Sequence, residues 1–273
     1  MNTLLTSVGL CAVLVTASSF QLANAHDDSE PNSNNECEVS LHYDVTVEPQ
    51  KLLISEAGTE RYRIEQDQLF VNGNKVALSQ QQQSLVAEYA ERVSADVPEV
   101  IELVNEAVVM ASTAVSMVLT PLIGDATGAT FDQMAVSLQN RVETVAYQSG
   151  DKFYLGATES SLERAFDEEF EQEMEQLIKS SIGTMLVSIG SQMLSSEGGS
   201  FEQKMETFSA QMESIGDDIE RQMDSQAQDL ELRGNKLCDS FKSLVVLEKE
   251  MQTQIPELAI YSLVGAPTQE LLE

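Results

Sequence analysis

Side chains suited to catalysis are scarce in this sequence. It contains two histidines, His26 and His42, and three cysteines, Cys11, Cys37 and Cys238. Acyl transfer needs a nucleophile beside a base, and no motif for such a pair is present. The sequence also lacks a phosphate-binding glycine loop and a zinc-binding His-Glu-x-x-His motif. We therefore predict no catalytic residue, no cofactor and no enzymatic activity.

Carboxylates are the abundant reactive group. Asp and Glu number 45 against 15 Lys and Arg, which gives a formal net charge of −30. The densest run, Glu163–Glu175, lacks the spacing of a calcium loop, and carboxylates along a helix do not converge on one ion. We interpret the run as a solvated acidic face and predict no metal site. The same charge disfavours nucleic acid and anionic lipid as partners.

The first 25 residues are predicted to be a secretory signal peptide. They contain no charged side chain, include the apolar stretch Leu4–Val15, and end in the small-x-small cleavage pattern Ala23-Asn24-Ala25. A transmembrane anchor is less consistent with this pattern because the apolar core is shorter than a span of about 20 residues. We expect a periplasmic protein that begins at His26 with a disordered polar leader, residues 26–36.

Cysteine usage follows from this prediction. Removal of the signal peptide removes Cys11 and leaves Cys37 and Cys238 in an oxidising compartment, where an even number predicts a disulfide. The closed loop would contain about 200 residues, for which chain entropy gives at most about 5 kcal/mol. A redox or metal-binding pair is the alternative. It is disfavoured because there is no Cys-x-x-Cys motif and histidine is scarce.

Residues 37–78 predict a small antiparallel sheet. Apolar and polar residues alternate from Val39 to Val47, which indicates a strand with its odd-numbered side chains buried and His42 solvated. Two further strands are expected at residues 52–54 and 61–64.

The sheet should end in a hairpin and a helix start. Asn72 and Gly73 both tolerate positive φ, so they predict a type I′ turn. Ser79 is the predicted N-cap of the first helix, and Gln82 can complete a capping box with it.

Residues 79–250 predict a series of long helices. Pro98 predicts a kink or a new helix start near Asp96, and residues 124–128 predict a loop. A second helix should be closed by Gly150, with a brief extended or turn segment at residues 152–156. A third should begin after Thr158 and run past residue 190.

The last helix carries a heptad pattern from Ser200 to about Glu250. We call its apolar positions the seam, and Gly216 and Gly234 are expected bends. The seam consists of Phe201, Met205, Phe208, Met212, Ile215, Ile219, Met223, Ala227, Leu230, Gly234, Leu237, Phe241 and Leu244.

Two runs in the helical region carry no charge, residues 107–123 and 180–196. We predict that they form the buried middle of the helical layer, where small residues let helix axes approach closely. Self-association and membrane insertion are the alternatives. A stable span is disfavoured because each run is shorter than a bilayer requires.

Several motifs together resemble the YggN-like family of Gram-negative envelope proteins, a family of unknown function. The motifs are a signal peptide, a cysteine-led strand, Tyr62-Arg63-Ile64, the run 69–78, a Gln-rich helix start with Tyr89, and Val97-Pro98-Glu99. The resemblance is most specific over residues 37–105. It implies a periplasmic location and brings no catalytic residues.

The sequence thus predicts an α+β protein in which a small antiparallel β-meander, residues 37–78, docks on a long-helix bundle or helical hairpin, residues 79–250. A C-terminal tail, residues 251–273, should contain one short element. The predicted function is a non-enzymatic binding, scaffold or chaperone-like role in the cell envelope, with an envelope protein or a second copy as partner. The alternative is a carrier of a lipid or other apolar ligand between the helices.

Overall fold

The computed structural model describes residues 37, 39–123, 125–195 and 200–265. The predicted signal peptide and leader lie outside these residues. The described chain has the predicted α+β architecture, with an antiparallel sheet at one end of a set of long helices.

The main sheet has seven antiparallel strands. They are β2 (Asp44–Glu48), β3 (Lys51–Glu56), β4 (Thr59–Glu65), β5 (Gln68–Val71), β6 (Asn74–Lys75), β7 (Ala146–Ser149) and β8 (Lys152–Leu155). Their order across the sheet is β6-β5-β4-β3-β2-β8-β7. The β7–β8 hairpin comes from between two helices and pairs with β2, so the sheet extends beyond the predicted region 37–78.

A second, two-stranded sheet joins the two ends of the described chain. Strand β1 (Ser40–Leu41) pairs with β9 (Val264–Gly265). A short 3₁₀ helix, Pro256–Leu258, lies just before β9. The tail, residues 251–273, is predicted to contain one short element, but its described part contains two, and residues 251–254 belong to the last long helix.

Four long helices and one short one complete the fold. They are α1 (Gln80–Ile123), α2 (Asp125–Val145), α3 (Glu159–Ala165), α4 (Glu168–Ser195) and α5 (Phe201–Gln254). Contacts between α1 and α5 pair Arg92 with Ser243 and Asp96 with Ser240, so the two helices are antiparallel. At 1.5 Å per residue, the 54 residues of α5 extend for about 80 Å.

Four predicted helix boundaries are wrong. The second helix ends at Val145 and not at Gly150, which lies in the turn of the β7–β8 hairpin. Helix α1 continues through Pro98, and Asp96 accepts a hydrogen bond from Ser240 of α5 instead of capping a new start. Residues 125–128, predicted as a loop, belong to α2. The predicted third helix is two helices, α3 and α4. Asp167 accepts a hydrogen bond from the Phe170 backbone amide at the start of α4, which is the geometry of an N-cap.

The hydrophobic core lies between the main sheet, the first half of α1 and the last half of α5. Val45, Ile54 and Leu69 of the sheet, Val86 of α1 and Leu244 of α5 are all fully buried. One sheet face and two amphipathic helix faces thus share a single apolar interior. We call the part of the molecule that contains this interior the sheet end; it comprises the strands, residues 80–103 of α1 and residues 230–254 of α5.

Candidate functional site

A disulfide ties the start of the described chain to the last helix. Cys37 and Cys238 are bonded, their Cα atoms are 5.6 Å apart, and 201 positions separate them in sequence. Cys238 is buried on α5. The pairing predicted from the cysteine count is therefore present, and it closes the sheet end covalently.

A buried carboxylate, Glu248, holds the C-terminal segment against α5. It accepts hydrogen bonds from the backbone amides of Leu263 and Val264 and from the hydroxyls of Ser262 and Tyr89, at 2.6 to 3.2 Å. The Tyr89 hydroxyl also lies 3.1 Å from that of Tyr62 on the sheet. This network connects the sheet, α1, α5 and the tail.

Burial dominates the acid–base properties of this network. It raises the pKa of Glu248 above its ordinary value, although the four hydrogen bonds oppose the shift. It also raises the pKa of Tyr62 and Tyr89 well above 10. Glu248 is 2% exposed and its donors come from the protein itself, so the group is suited to holding the fold rather than to exchanging protons with a substrate.

A second buried carboxylate, Asp44, anchors the segment that leads from β8 into α3. Alternation places it on the polar face of its strand, yet it is 1% exposed. It accepts hydrogen bonds from the Ala157 and Thr158 amides and from the Thr158 and Ser161 hydroxyls. Thr158 caps α3, so Asp44 and this N-cap form one cluster. The sequence indicates Thr158 as a helix cap, but no pattern in it indicates that Asp44 is the partner of Thr158.

The predicted turn and cap residues lie together at the other edge of the sheet. Asn72 and Gly73 have φ values of 48° and 78°. The side-chain amide of Asn72 donates to the Tyr261 hydroxyl at 2.9 Å, so the turn also holds the tail. Ser79 accepts from the Gln82 amide, and the Gln82 side chain accepts from the Ser79 amide, which forms the capping box. These residues have structural roles.

The other half of the molecule is packed differently. We define the distal half as residues 104–123, 125–141, 168–195 and 200–229 of the four long helices. Among the side chains that the structure describes there, only Ile215 is buried. The described members of the uncharged runs, residues 107–117 and residues 182, 183, 187 and 190, are half-buried or exposed. The prediction of a buried middle is therefore wrong for them.

Large apolar side chains reach solvent in this distal half. Val187 is 73% exposed, and the exposure of the others lies between 42% and 57%. The others are Val109, Val115, Val136, Ile178, Ile182 and Met205. Much of the uncharged run in α1 is Ala, Ser and Thr, which provide little apolar volume for a core. This explains why absence of charge did not produce burial.

A shallow groove lies between α2 and α4 in the distal half. It has a volume of about 370 Å³ and is lined by Asp132, Gln133, Val136, Ser137, Asn140 and Glu173. A second depression, of about 420 Å³, lies at the sheet edge beside the Asn72–Gly73 turn. Both are open to solvent, and neither is an enclosed cavity.

The described residues contain no cluster of three or more His, Cys, Asp or Glu side chains arranged to hold a metal ion. The exposed acidic residues at the start of α4 belong to its first turns, where they interact favourably with the helix dipole. By length and composition one described helical stretch, Gln80–Met117, could cross a membrane. Helices in protein cores pass the same test, so this is weak evidence for a span.

The fold is a mixed α+β architecture whose sheet end is well packed and whose distal half is more exposed. The chain belongs to the family described as "Protein of unknown function (DUF2884)", whose model matches residues 37–264. Neither a curated protein nor a solved structure matches the chain significantly.

Proposed function

We propose that this protein is an exported, non-enzymatic binding protein of the cell envelope that holds other polypeptides with the distal half of its helices. The sheet end serves as the anchor that fixes the helices, and the distal half supplies the binding surface. The proposal includes a periplasmic location and a chaperone-like or scaffold role.

One observation carries the proposal, namely the change in burial along the seam of α5. Leu230, Leu237, Phe241 and Leu244 are buried against α1 and the sheet end, whereas Met205 is 42% exposed. The heptad pattern continues through both halves, with one irregularity between Ile219 and Ala227. Of the described distal seam residues only Ile215 is buried, so the distal seam is apolar without being fully covered by this chain. Contiguous exposed apolar surface marks interaction sites, and the proposal is that the exposed apolar side chains of the distal half form such a surface.

The predicted signal peptide and the Cys37–Cys238 disulfide support the location. Structural disulfides persist in oxidising compartments and are rare in the cytosol. The resemblance to YggN-like envelope proteins agrees with this location. N-terminal sequencing of protein from a periplasmic extract should give His26 as the first residue. Recovery of full-length chain from the cytosol would contradict the proposal.

A surface role is better supported than the carriage of a lipid between the helices. Carrier proteins enclose most of an apolar ligand, whereas both depressions described above are open to solvent. A polypeptide client, in contrast, can cover an extended and partly apolar surface.

The test is suppression of aggregation of reduced insulin, followed by light scattering. The full mature protein should lower the scattering in proportion to its concentration. The double substitution Ile182→Ser and Val187→Ser should remove most of this effect because both side chains are exposed apolar groups of the distal half.

A matched control is available at the sheet end of the molecule. Leu232 and Val246 are 61% and 68% exposed on α5, so Leu232→Ser with Val246→Ser removes similar apolar area elsewhere. This control should act like the wild type. Equal loss in both double variants, or no suppression by the wild type, would refute the proposed function.

A further inference from the structure

The groove between α2 and α4 has the composition of a binding surface for a cation with an aliphatic stem. Val136, 57% exposed, supplies apolar surface. Asp132 and Glu173 line the same groove and are both exposed. A Lys or Arg side chain can cover such a valine with its methylene groups while its charged end reaches a carboxylate.

The carboxylates on these two helices greatly outnumber the cations. Helix α2 contains three acidic residues and one basic residue, and α4 contains five and one. Both basic residues already form ion pairs within the chain. Arg141 contacts Asp167 at 3.4 Å, and Lys179 contacts Glu175 at 2.6 Å. Glu173 accepts a hydrogen bond from the Ser137 hydroxyl at 2.9 Å, which crosses the groove without neutralising its charge.

The lining also has a helical repeat. Asp132, Val136 and Asn140 follow one another at intervals of four residues, so they lie along one side of α2. The groove therefore presents acidic, apolar and polar groups in succession along a helix axis. A partner helix with basic and apolar residues at intervals of three and four would match this surface.

The negative charge of the groove favours a basic polypeptide over a second copy of the chain and over an anionic lipid surface. A second copy of the chain carries the same net charge of −30, so it would bring like charge to the groove. An anionic lipid surface is repelled for the same reason. A basic polypeptide is attracted, and electrostatic complementarity of this kind favours encounter and specificity.

We propose that the α2–α4 groove binds a cationic amphipathic segment of another polypeptide. This inference rests on the proposed function, since it names the kind of polypeptide that the distal half holds. Asp132 and Glu173 pair with basic side chains of the partner, and Val136 contacts an apolar side chain or the methylene stem of a lysine.

The probe is a fluorescein-labelled peptide made of two Lys-Leu-Ala-Lys-Leu-Ala-Lys repeats, and binding to the mature protein is measured by fluorescence anisotropy. Binding should weaken with added salt, because exposed charges are screened. Asp132→Asn with Glu173→Gln should lower the affinity about tenfold, the effect of losing two exposed ion pairs. The corresponding peptide with Glu in place of Lys should not bind.

Matched controls distinguish binding at the groove from general electrostatic attraction to an acidic protein. Glu231→Gln with Asp239→Asn removes the same charge from exposed positions of α5 and should leave the affinity unchanged. Val136→Ser should weaken binding, whereas Val246→Ser should not. Circular dichroism melting checks that every variant is folded.

Four results would overturn the inference: equal weakening in the groove and control variants, no binding of the cationic peptide, binding to phosphatidylglycerol vesicles instead of the peptide, or groove-dependent self-association in sedimentation. If the protein still suppresses insulin aggregation while the peptide does not bind, the proposed function stands and only the cationic groove is refuted. If the peptide binds but insulin aggregation is unaffected, the groove stands and the chaperone-like role fails.

Discussion

The two halves of α5 have similar heptad patterns but different surroundings. At the sheet end its apolar positions meet α1, the sheet and the tail, and they are buried. In the distal half the same pattern meets fewer neighbours, and its side chains are mostly half-buried or exposed. The comparison shows that the heptad pattern specifies an apolar face, whereas the neighbouring elements determine whether that face is covered.

The largest expected effect tests this difference on one helix. Leu244 is fully buried, so Leu244→Ala should lower the free energy of unfolding by about 3–5 kcal/mol. Met205→Ala on the distal seam should cost less than about 1 kcal/mol because Met205 is 42% exposed. Urea unfolding followed by circular dichroism measures both values. Equal losses would contradict the contrast between the halves.

Removal of the disulfide should have the next largest effect. Cys37→Ser with Cys238→Ser should cost about 2–5 kcal/mol, since the bond closes a loop across 201 positions. The loss should appear at the sheet end, as faster amide hydrogen exchange around β1 and β9. If exchange instead increased mainly in the distal half, the bond would have to stabilise the molecule by another route.

Gly73→Val tests the turn at the edge of the sheet. Gly73 has φ of +78°, where a β-branched residue is strained, and the expected cost is about 1–3 kcal/mol. Space does not limit the substitution, since an added Cβ would have no neighbour within 4 Å. An unchanged melting temperature would refute the conformational argument.

The smallest expected effect concerns pH and Glu248. Its pKa is raised in the folded state, so its contribution to stability is greatest below its ordinary pKa and is lost as the pH rises through the raised value. Glu248→Gln removes this titration. The stability of the variant relative to the wild type should therefore increase from acidic to neutral pH. Melting curves across this range measure the difference, and a constant difference would contradict the raised pKa.

Local patterns in the sequence predicted much of the sheet end. The Asn72-Gly73 dipeptide and the Ser79 cap each depend on neighbouring residues, and each has its expected geometry in the structure. Alternation is less accurate: the single strand that it predicts from Val39 to Val47 is two strands, Ser40–Leu41 and Asp44–Glu48, and residues 44–47 are all buried. The sequence predicts only β8 of the β7–β8 hairpin, as a brief extended or turn segment, and assigns β7 to the preceding helix, because the partner strand β2 is far away in the sequence. Alternation alone predicts a solvated Asp44, because it cannot reveal that α3 covers this side chain.

The candidate site was harder to predict than the fold. Absence of charge in residues 107–123 predicts burial, but the described part, residues 107–117, is half-buried or exposed, because burial depends on how much apolar volume the other helices provide. Pro98 suggested a break because proline lacks an amide proton, yet contacts with α5 are present on both sides of it. The groove requires α2 and α4 to be adjacent, and no pattern within either helix encodes that adjacency.

The pairing of β1 with β9 imposes an order on the assembly of the molecule. A chain that emerges from its N-terminus presents Cys37 and β1 long before Cys238 and β9 exist. Strand β1 therefore cannot pair until β9 has been synthesised, and the disulfide can form only after Cys238 has emerged. Closure of the sheet end depends on contacts between residues far apart in the sequence, so it is a late step in folding. The helices between β1 and β9 depend on local contacts and can form early.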